Sequence, residues 1–297
     1  MGRYYQELKC LLALVLLVIS SWSGNSYGHV YGARVDIATW QVEPSPLECR
    51  LSQHVPNFGK AVFLTRAGSP MTFFLNPIRK VKKKGQAVIR SIPPQWRFDT
   101  KERFIAKVSV IPGSTPFTTS DDVASRLLAE LQLGMFPSIS HEGWYPRHHM
   151  DIEVSSVNFS AAYEDYISCT AGLFPKNFEQ LERSTVLFET NKWNVKAEYR
   201  DHFEMLYQYT QLDPDVAGII VDGHTDSRGG RDYNWDLSRL RAEEVEKLLY
   251  DVGFPEDFVQ VRYHGEQHPV VKNNNKHNRQ RNRRVTLRLT KEQLAKP

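Results

Sequence analysis

Between residues 29 and 170 short apolar or alternating runs recur, cut by Pro, Gly and charged residues. The runs are "KAVFLTR" (60–66), "MTFFLN" (71–76), "GQAVIRSI" (85–92), "RFIAKVSVI" (103–111) and "MDIEVSSVNFS" (150–160). Period-two alternation at such spacings predicts antiparallel strands. One stretch breaks the pattern. "SDDVASRLLAELQLG" (120–134) carries apolar residues at helical spacing, Ser120 at the N-cap, acids in the first turn and Gly134 after the last.

After Cys169 the texture changes. "RSTVLFETN" (183–191) reads as a strand. "NVKAEYRDHFEMLYQYTQL" (194–212) reads as a helix with Val195, Tyr199, Phe203, Leu206 and Tyr207 along one stripe. "VAGIIVDGHTD" (216–226) is continuously apolar until its polar end, the pattern of a strand covered on both faces. The helix over 234–252 buries Leu237, Leu240, Val245, Leu248, Leu249 and Val252. "DFVQVRYHGE" (257–266) and "RRVTLRLT" (283–290) close the series as strands. The order β-α-β-α-β-β predicts a sheet with helices packed against it. The expected fold is therefore two domains: a mainly-β domain over 29–175 and an α/β domain over 176–297.

The first segment is excluded from this reading. Residues 1–28 carry Arg3 and Lys9, an apolar run from Leu11 to Ile19, and small residues at Ser26 and Gly28. That is a secretory signal peptide cut after Gly28. The apolar run is shorter than the roughly 20 residues that a membrane span needs, and no later transmembrane segment is expected. The exported chain keeps two cysteines, Cys49 and Cys169. Two thiols in an oxidising compartment usually pair, which here would close a loop worth somewhat under about 5 kcal/mol in the chain-entropy model; the alternative is two unpaired buried thiols. The formal charge of +4 is mild and selects no polyanionic partner.

The candidate chemistry lies in "GHTDSRGGRDYNWDLSRLRAEEVEKLL" (223–249). Asp226 stands on the turn after a buried strand, where ligands gather in α/β sheets. Arg241 follows fifteen positions later, at the margin of the helix's buried stripe, within reach of that turn. Asn234, Leu237, Ser238 and Arg241 share a helix face. A planar guanidinium suits a carboxylate and a nearby carboxylate suits an ammonium, so the pair fits a zwitterionic amino-acid end. The alternative is that Asp226 and Arg241 pair only with each other.

These residues carry a resemblance. "HTD", "N234WDLSRLRAEEV" and "N282RRV" resemble the OmpA-like peptidoglycan-binding domain, the family of OmpA's C-terminal part, Pal and MotB. The resemblance covers residues 183–290. It implies that Asp226 and Arg241 bind the free amino-acid end of meso-diaminopimelate in the peptidoglycan stem peptide. It places Thr225, Asn234 and Leu237 in the pocket and Asn282 and Arg283 at its edge. The chain departs from many members by carrying Thr190-Asn191 where they have Phe-Asp, a departure that bears on contacts from this rim and not on the central pair. In the N-terminal half, "ATWQVEPSPLECRLSQHVPNFGKAVF" and "PPQWR" resemble the T-ring proteins of sodium-driven polar flagellar motors. That resemblance implies a periplasmic scaffold associated with the flagellar basal body at its LP ring, with a MotX-like partner, and with stator proteins. A general OmpA/Pal-like wall anchor with no flagellar role is the alternative.

Other chemistries are less well supported by the residues. His224, Asp226, His264 and His268 could form an acid–base or metal cluster, but no motif with metal-ligand spacing accompanies them. His141, His148 and His149 read as solvated loop residues. The basic runs "VKKKGQ" and "KNNNKHNRQRNRR" could track phosphates, although an exported protein rarely meets nucleic acid. Lys82–Lys84 read as a solvated basic face or a surface for another basal-body protein. Trp40 and Trp96 are core or partner surface. No enzyme activity, catalytic residue, cofactor, metal or nucleic acid is expected.

Overall fold

A computed structural model of the chain describes residues 29–142 and 149–292. The signal-peptide segment 1–28 and His148 lie outside the described residues. The chain forms two compact units. The first holds Arg50–Leu64, Met71–Asp165 and the chain up to Val42. The second holds Tyr166 onward together with Glu43–Cys49 and Thr65–Pro70.

Nine strands are described before residue 154. They are β1 (His29–Gly32), β2 (Trp40–Pro44), β3 (Glu48–Val55), β4 (Gly59–Arg66), β5 (Thr72–Pro77), β6 (Gly85–Ile92), β7 (Arg103–Val110), β8 (Phe136–Glu142) and β9 (His149–Glu153). They form two sheets, ordered β1-β9-β8-β6-β7 and β2-β3-β4-β5. The mainly-β expectation holds. Helix α1 (Asp121–Gln132) lies where its pattern predicted it, burying Ala124, Leu127, Leu128 and Leu131. Ser120 takes the N-cap position, but its hydroxyl makes no cap bond. Helix α2 (Phe159–Ala171) begins where the sequence reading had continued a strand.

The core of the first unit is aromatic. Trp40 packs edge-on against Phe159 at 5.1 Å between centroids, and Phe63 against Phe73 at 4.7 Å. The Trp40 indole N–H donates to the Ser155 carbonyl at 3.0 Å, so Trp40 is core. Trp96 is half exposed, touching Phe136 by its edge. The solvated-loop reading of the first histidine cluster is corrected: His141 sits on β8, paired with Met150 of β9, and His149 opens β9.

The second unit is built on one four-stranded sheet, β10-β13-β11-β12. Its strands are β10 (Arg183–Leu187), β11 (Gly218–Gly223), β12 (Val259–Tyr263) and β13 (Arg284–Thr290). β13 runs antiparallel to both neighbours, whereas β11 and β12 are parallel. A parallel pair needs a crossover. Helix α5 (Arg231–Val252) supplies it, with Gly253 left-handed at φ 119° after its last turn. Helices α3 (Phe178–Leu181), α4 (Arg200–Leu212) and α6 (Lys276–Asn282) complete the unit. α4 starts later than its pattern implied, because Ala197–Tyr199 form a single 3-10 turn. Its fully buried residues are Phe203, Leu206 and Tyr209, with Val195 and Tyr207 only partly covered. Val186, Phe188, Phe203, Ile219, Val221, Val245 and Val285 form the centre of the core.

Cys49 and Cys169 are joined by a disulfide, with their Cα atoms 6.0 Å apart. Both belong to the second unit, so the bridge ties Glu43–Cys49 to the end of α2. No helix among the described residues is long and apolar enough to cross a membrane.

Candidate functional site

β11 delivers the site. Its burial is nearly complete, and the polar turn His224-Thr225-Asp226 follows directly. Gly223 lets α5 come down on this strand end: a Cβ there would lie 2.3 Å from the Ser238 carbonyl oxygen. The turn is pinned from both sides by backbone bonds. His224 N–H donates to the Arg284 carbonyl at 2.9 Å, and Thr225 N–H to the Gly265 carbonyl at 2.7 Å. Asn234, Leu237, Ser238 and Arg241 on α5 all face inward and are buried.

Asp226 is 5% exposed and pairs with Arg283, not with Arg241. The Arg283 Nη1–Asp226 Oδ2 distance is 2.7 Å, and both side chains are 7% exposed. The other oxygen, Oδ1, accepts the Arg228 N–H at 2.9 Å. Arg283 also donates from Nε to the Phe188 carbonyl and from Nη2 to Gln280.

Arg241 is fully enclosed. Its Nε donates to the Lys192 carbonyl at 2.9 Å, Nη1 to that of His224 at 3.1 Å and Nη2 to that of Glu189 at 3.1 Å. The guanidinium lies over the Phe188 ring, 5.2 Å from its centroid. A guanidinium has five N–H donors, so these three bonds leave two unspent. Burial, and then the neighbouring Arg283, lower its pKa to about 10, and Asp226 partly offsets this. It remains charged at neutral pH. The sequence reading of a base within reach of the acid's turn thus acquires a sharper form. Arg241 clamps the turn and the 189–192 segment together, while Arg283 supplies the direct ion pair.

Two buried acceptors next to this pair have no partner: Thr225 Oγ1 and Asn234 Oδ1. Thr225 is 2% exposed and Asn234 1%. The Asn234 amide spans the site. Its Nδ2 donates to the Glu266 carboxylate, and its Oδ1 points toward Gly229 of the turn, 3.4 Å from where a Cβ there would sit. Buried polar atoms are nearly always satisfied, so such a pair beside charged groups marks a place that a polar ligand can complete.

Asn282 has another occupation. Its Oδ1 accepts from the N–H of Val270 and Val271, and its Nδ2 donates to the Val271 carbonyl and to Asn273. It holds the 270–273 loop. Leu237 is buried. Half of the C-terminal basic run is spent internally, since Arg279 bonds the Asn273 carbonyl and Arg283 and Arg284 are buried, whereas Lys272, Lys276 and Arg281 are exposed. Lys82, Lys83 and Lys84 are exposed.

The histidines do come together, around Asp222 and not Asp226. His224 stacks on His264 at 4.8 Å, His264 Nε2 lies 2.8 Å from Asp222 Oδ1, and His268 meets His264 by its edge at 5.6 Å. Burial, then Arg284 and His264, lower the His224 pKa to about 4, so its ring is neutral. No group of three or more His, Cys, Asp or Glu among the described residues is placed to hold a metal ion.

Sequence reasoning missed Glu266 and the three carbonyls that hold Arg241. The glycine before Glu266, left-handed at φ 56°, was an available signal for a turn at that point; backbone carbonyls leave none.

Comparison with known proteins gives two separate matches along the chain. Residues 31–175 match the MotY N-terminal domain, and residues 187–283 match the OmpA family. The second match spans every site residue from Phe188 to Arg283. The sodium-type flagellar protein MotY of Vibrio parahaemolyticus is 28% identical over 285 residues, covering 94% of this chain and 97% of that protein. Outer membrane protein A of Escherichia coli O157:H7 is 39% identical over 92 residues, which is 31% of this chain and 27% of that protein. Among solved structures, the peptidoglycan-associated lipoprotein from Burkholderia pseudomallei aligns over 36% of this chain and 89% of its own, at 27% identity and a TM-score of 0.34.

Proposed function

We propose that this chain, a MotY N-terminal domain joined to an OmpA-family domain, is a non-enzymatic scaffold of the flagellar motor that anchors to peptidoglycan. The signal peptide over 1–28 delivers it to the periplasm. The domain over 29–175 docks at the basal body, on the LP ring and a MotX-like partner. The domain over 176–297 binds the wall. Copies assembled as a T ring support stator proteins around the rotor. No nucleic acid takes part.

The observation that carries this reading is the unfinished polar cluster at the end of β11. Asp226 is held rigidly by Arg283, Arg241 keeps two N–H groups, and Thr225 Oγ1 and Asn234 Oδ1 lack partners. The free end of a stem-peptide diaminopimelate complements it. Its carboxylate goes to Arg241 and its ammonium to the Asp226 side, with Thr225 and Asn234 closing the contacts over Leu237. Arg283 at the edge fixes Asp226, and Asn282 fixes the neighbouring loop. Each charge-assisted bond contributes about 1.5–3 kcal/mol, so one site binds weakly and a ring of copies binds firmly. The flagellar reading is favoured over a general wall anchor by the match at 31–175, which precedes the OmpA-family domain.

The test is co-sedimentation of the chain with purified diaminopimelate-type peptidoglycan, beside Arg241→Lys and with free meso-diaminopimelate as competitor. Arg241→Lys keeps a cation but loses the planar fork. Pelleting that both the competitor and the substitution abolish supports the reading. A chain that stays in the supernatant overturns it.

A further inference from the structure

We infer that Glu266 is a specificity-determining residue of this site, a second carboxylate that receives the ligand's ammonium together with Asp226. The inference rests on the wall-binding reading above and names a residue that reading does not use. It begins with charge accounting inside the cluster. The negative charge of Asp226 is already neutralised by Arg283 at 2.7 Å in a buried pair. Arg241 makes no direct ion pair: its three bonds go to carbonyls, and the nearby Asp226, itself bonded to Arg283, only partly offsets its charge. An incoming carboxylate therefore finds a cation with no ion-pair partner of its own. An incoming ammonium at Asp226 alone would find an anion already paired, and would compete with a buried guanidinium.

Glu266 resolves this imbalance. Its carboxylate is held by the neutral Asn234 Nδ2, and no cation bridges it among the described residues. It is partly exposed, so an ammonium can approach without being stripped of all its water. Its position is fixed by its neighbour. Gly265 N–H donates to Ser238 Oγ at 2.9 Å, and the Gly265 carbonyl accepts the Thr225 N–H at 2.7 Å. Glu266 thus directly follows the residue whose backbone pins Thr225. The unpartnered Asn234 Oδ1 belongs to the same amide whose Nδ2 holds Glu266. An ammonium has three donors and no acceptor. Glu266, Asn234 Oδ1 and Thr225 Oγ1 offer acceptors within this small cluster. Arg241 is then the carboxylate half, and Asp226, fixed by Arg283, forms the ammonium half together with Glu266.

The experiment is an NMR titration of the full chain with meso-diaminopimelate and with its N,N′-diacetyl derivative, which lacks both ammonium groups. Wild type, Glu266→Gln and Glu266→Asp are compared. Glu266→Gln keeps the shape and removes the charge. The expected result is that Glu266→Gln binds meso-diaminopimelate at least about tenfold more weakly, the step made by 1.4 kcal/mol. It should bind the diacetyl derivative as the wild type does. Glu266→Asp should recover part of the loss. Unchanged discrimination in Glu266→Gln overturns the inference while leaving the pocket in place. Equal loss for both ligands also overturns it, since that marks a structural role. If the wild type binds neither ligand, the wall-binding site and this inference fall together.

Discussion

Asp226→Ala is the natural substitution for probing the site, and the geometry predicts that it does more than remove a contact. Asp226 and Arg283 face each other at 2.7 Å with 7% exposure on each side chain. Deleting the carboxylate strands the Arg283 guanidinium in the interior, held only by the Phe188 carbonyl and Gln280. Breaking a buried pair by removing one partner costs about 3–5 kcal/mol, whereas replacing both partners with apolar groups is often close to neutral. Asp226→Ala should therefore destabilise the second unit by about 3–5 kcal/mol, with a melting temperature lower by on the order of 2–4 °C for each kcal/mol. Asp226→Ala combined with Arg283→Met should cost less than Asp226→Ala alone. The assay is urea unfolding of the oxidised chain, followed by tryptophan fluorescence and circular dichroism. A single substitution costing under about 1 kcal/mol, or a double that equals the sum of the two singles, would refute the pairing. Loss of wall binding in Asp226→Ala is therefore read only beside its unfolding curve, whereas Glu266→Gln leaves the buried pair intact.

Four further outcomes follow from the same geometry. Thr225→Val replaces an unpartnered hydroxyl with a methyl, so it should be neutral or stabilising by up to about 1 kcal/mol while weakening diaminopimelate binding; a clear loss of stability on urea titration would show that the hydroxyl is already satisfied. Gly223→Ala puts a Cβ 2.3 Å from the Ser238 carbonyl, so α5 must retreat from β11; the expected cost is about 1–3 kcal/mol with loss of wall retention, and a wild-type melting curve counts against it. Alkylation under non-reducing conditions should label neither Cys49 nor Cys169, and replacing both with alanine should cost about 2–5 kcal/mol; two labelled thiols refute the bridge. For His224, the folded pKa of about 4 lies below the ordinary value of 6.5. As pH falls below about 6.5 the unfolded state takes the proton first, so its contribution to stability declines down to about pH 4, by on the order of 3 kcal/mol in all, and is constant above 6.5. A stability difference between wild type and His224→Gln that does not change across that window would exclude this linkage.

How much of this was legible depended on whether side chains announced their partners. β11 and α5 were readable because an unbroken apolar run suits little but a strand covered on both faces, and a long helical stripe suits little but a packed helix. β3 was not, because Ser52 and Gln53 are buried in it, and the Gln53 amide binds both the N–H and the carbonyl of Ser155. A buried polar residue satisfied by distant backbone breaks the local alternation that marks a strand. β8 was hidden in the same way by Pro137 and the buried Ser138. α6 lay inside a basic run that suggested surface, although Asn282 at its end is fully buried. At the site, the residue types and the fifteen-residue spacing were visible, but the pairing was not. Arg283 and Asp226 are 57 positions apart, and nothing local distinguishes their contact from one between Asp226 and Arg241.

The alternative to a binding site is that Asp226, Arg283 and Arg241 exist only to hold the sheet end together. Much of the geometry suits that view. Arg241 staples three carbonyls and covers Phe188, and Arg283 ties the start of β13 to the turn. A purely structural account nevertheless leaves a remainder. Buried ionic networks are seldom more stable than well-packed apolar replacements. Each unsatisfied buried acceptor costs about 1–3 kcal/mol. A fold needing only a staple has no use for Thr225 Oγ1 and Asn234 Oδ1 unpartnered beside it, nor for the Glu266 carboxylate held by a neutral amide alone. The structural bonds and the unfinished ones share the same side chains. Rigid placement by the first is what makes the second usable, since donors and acceptors already fixed in place lose little entropy when a ligand arrives.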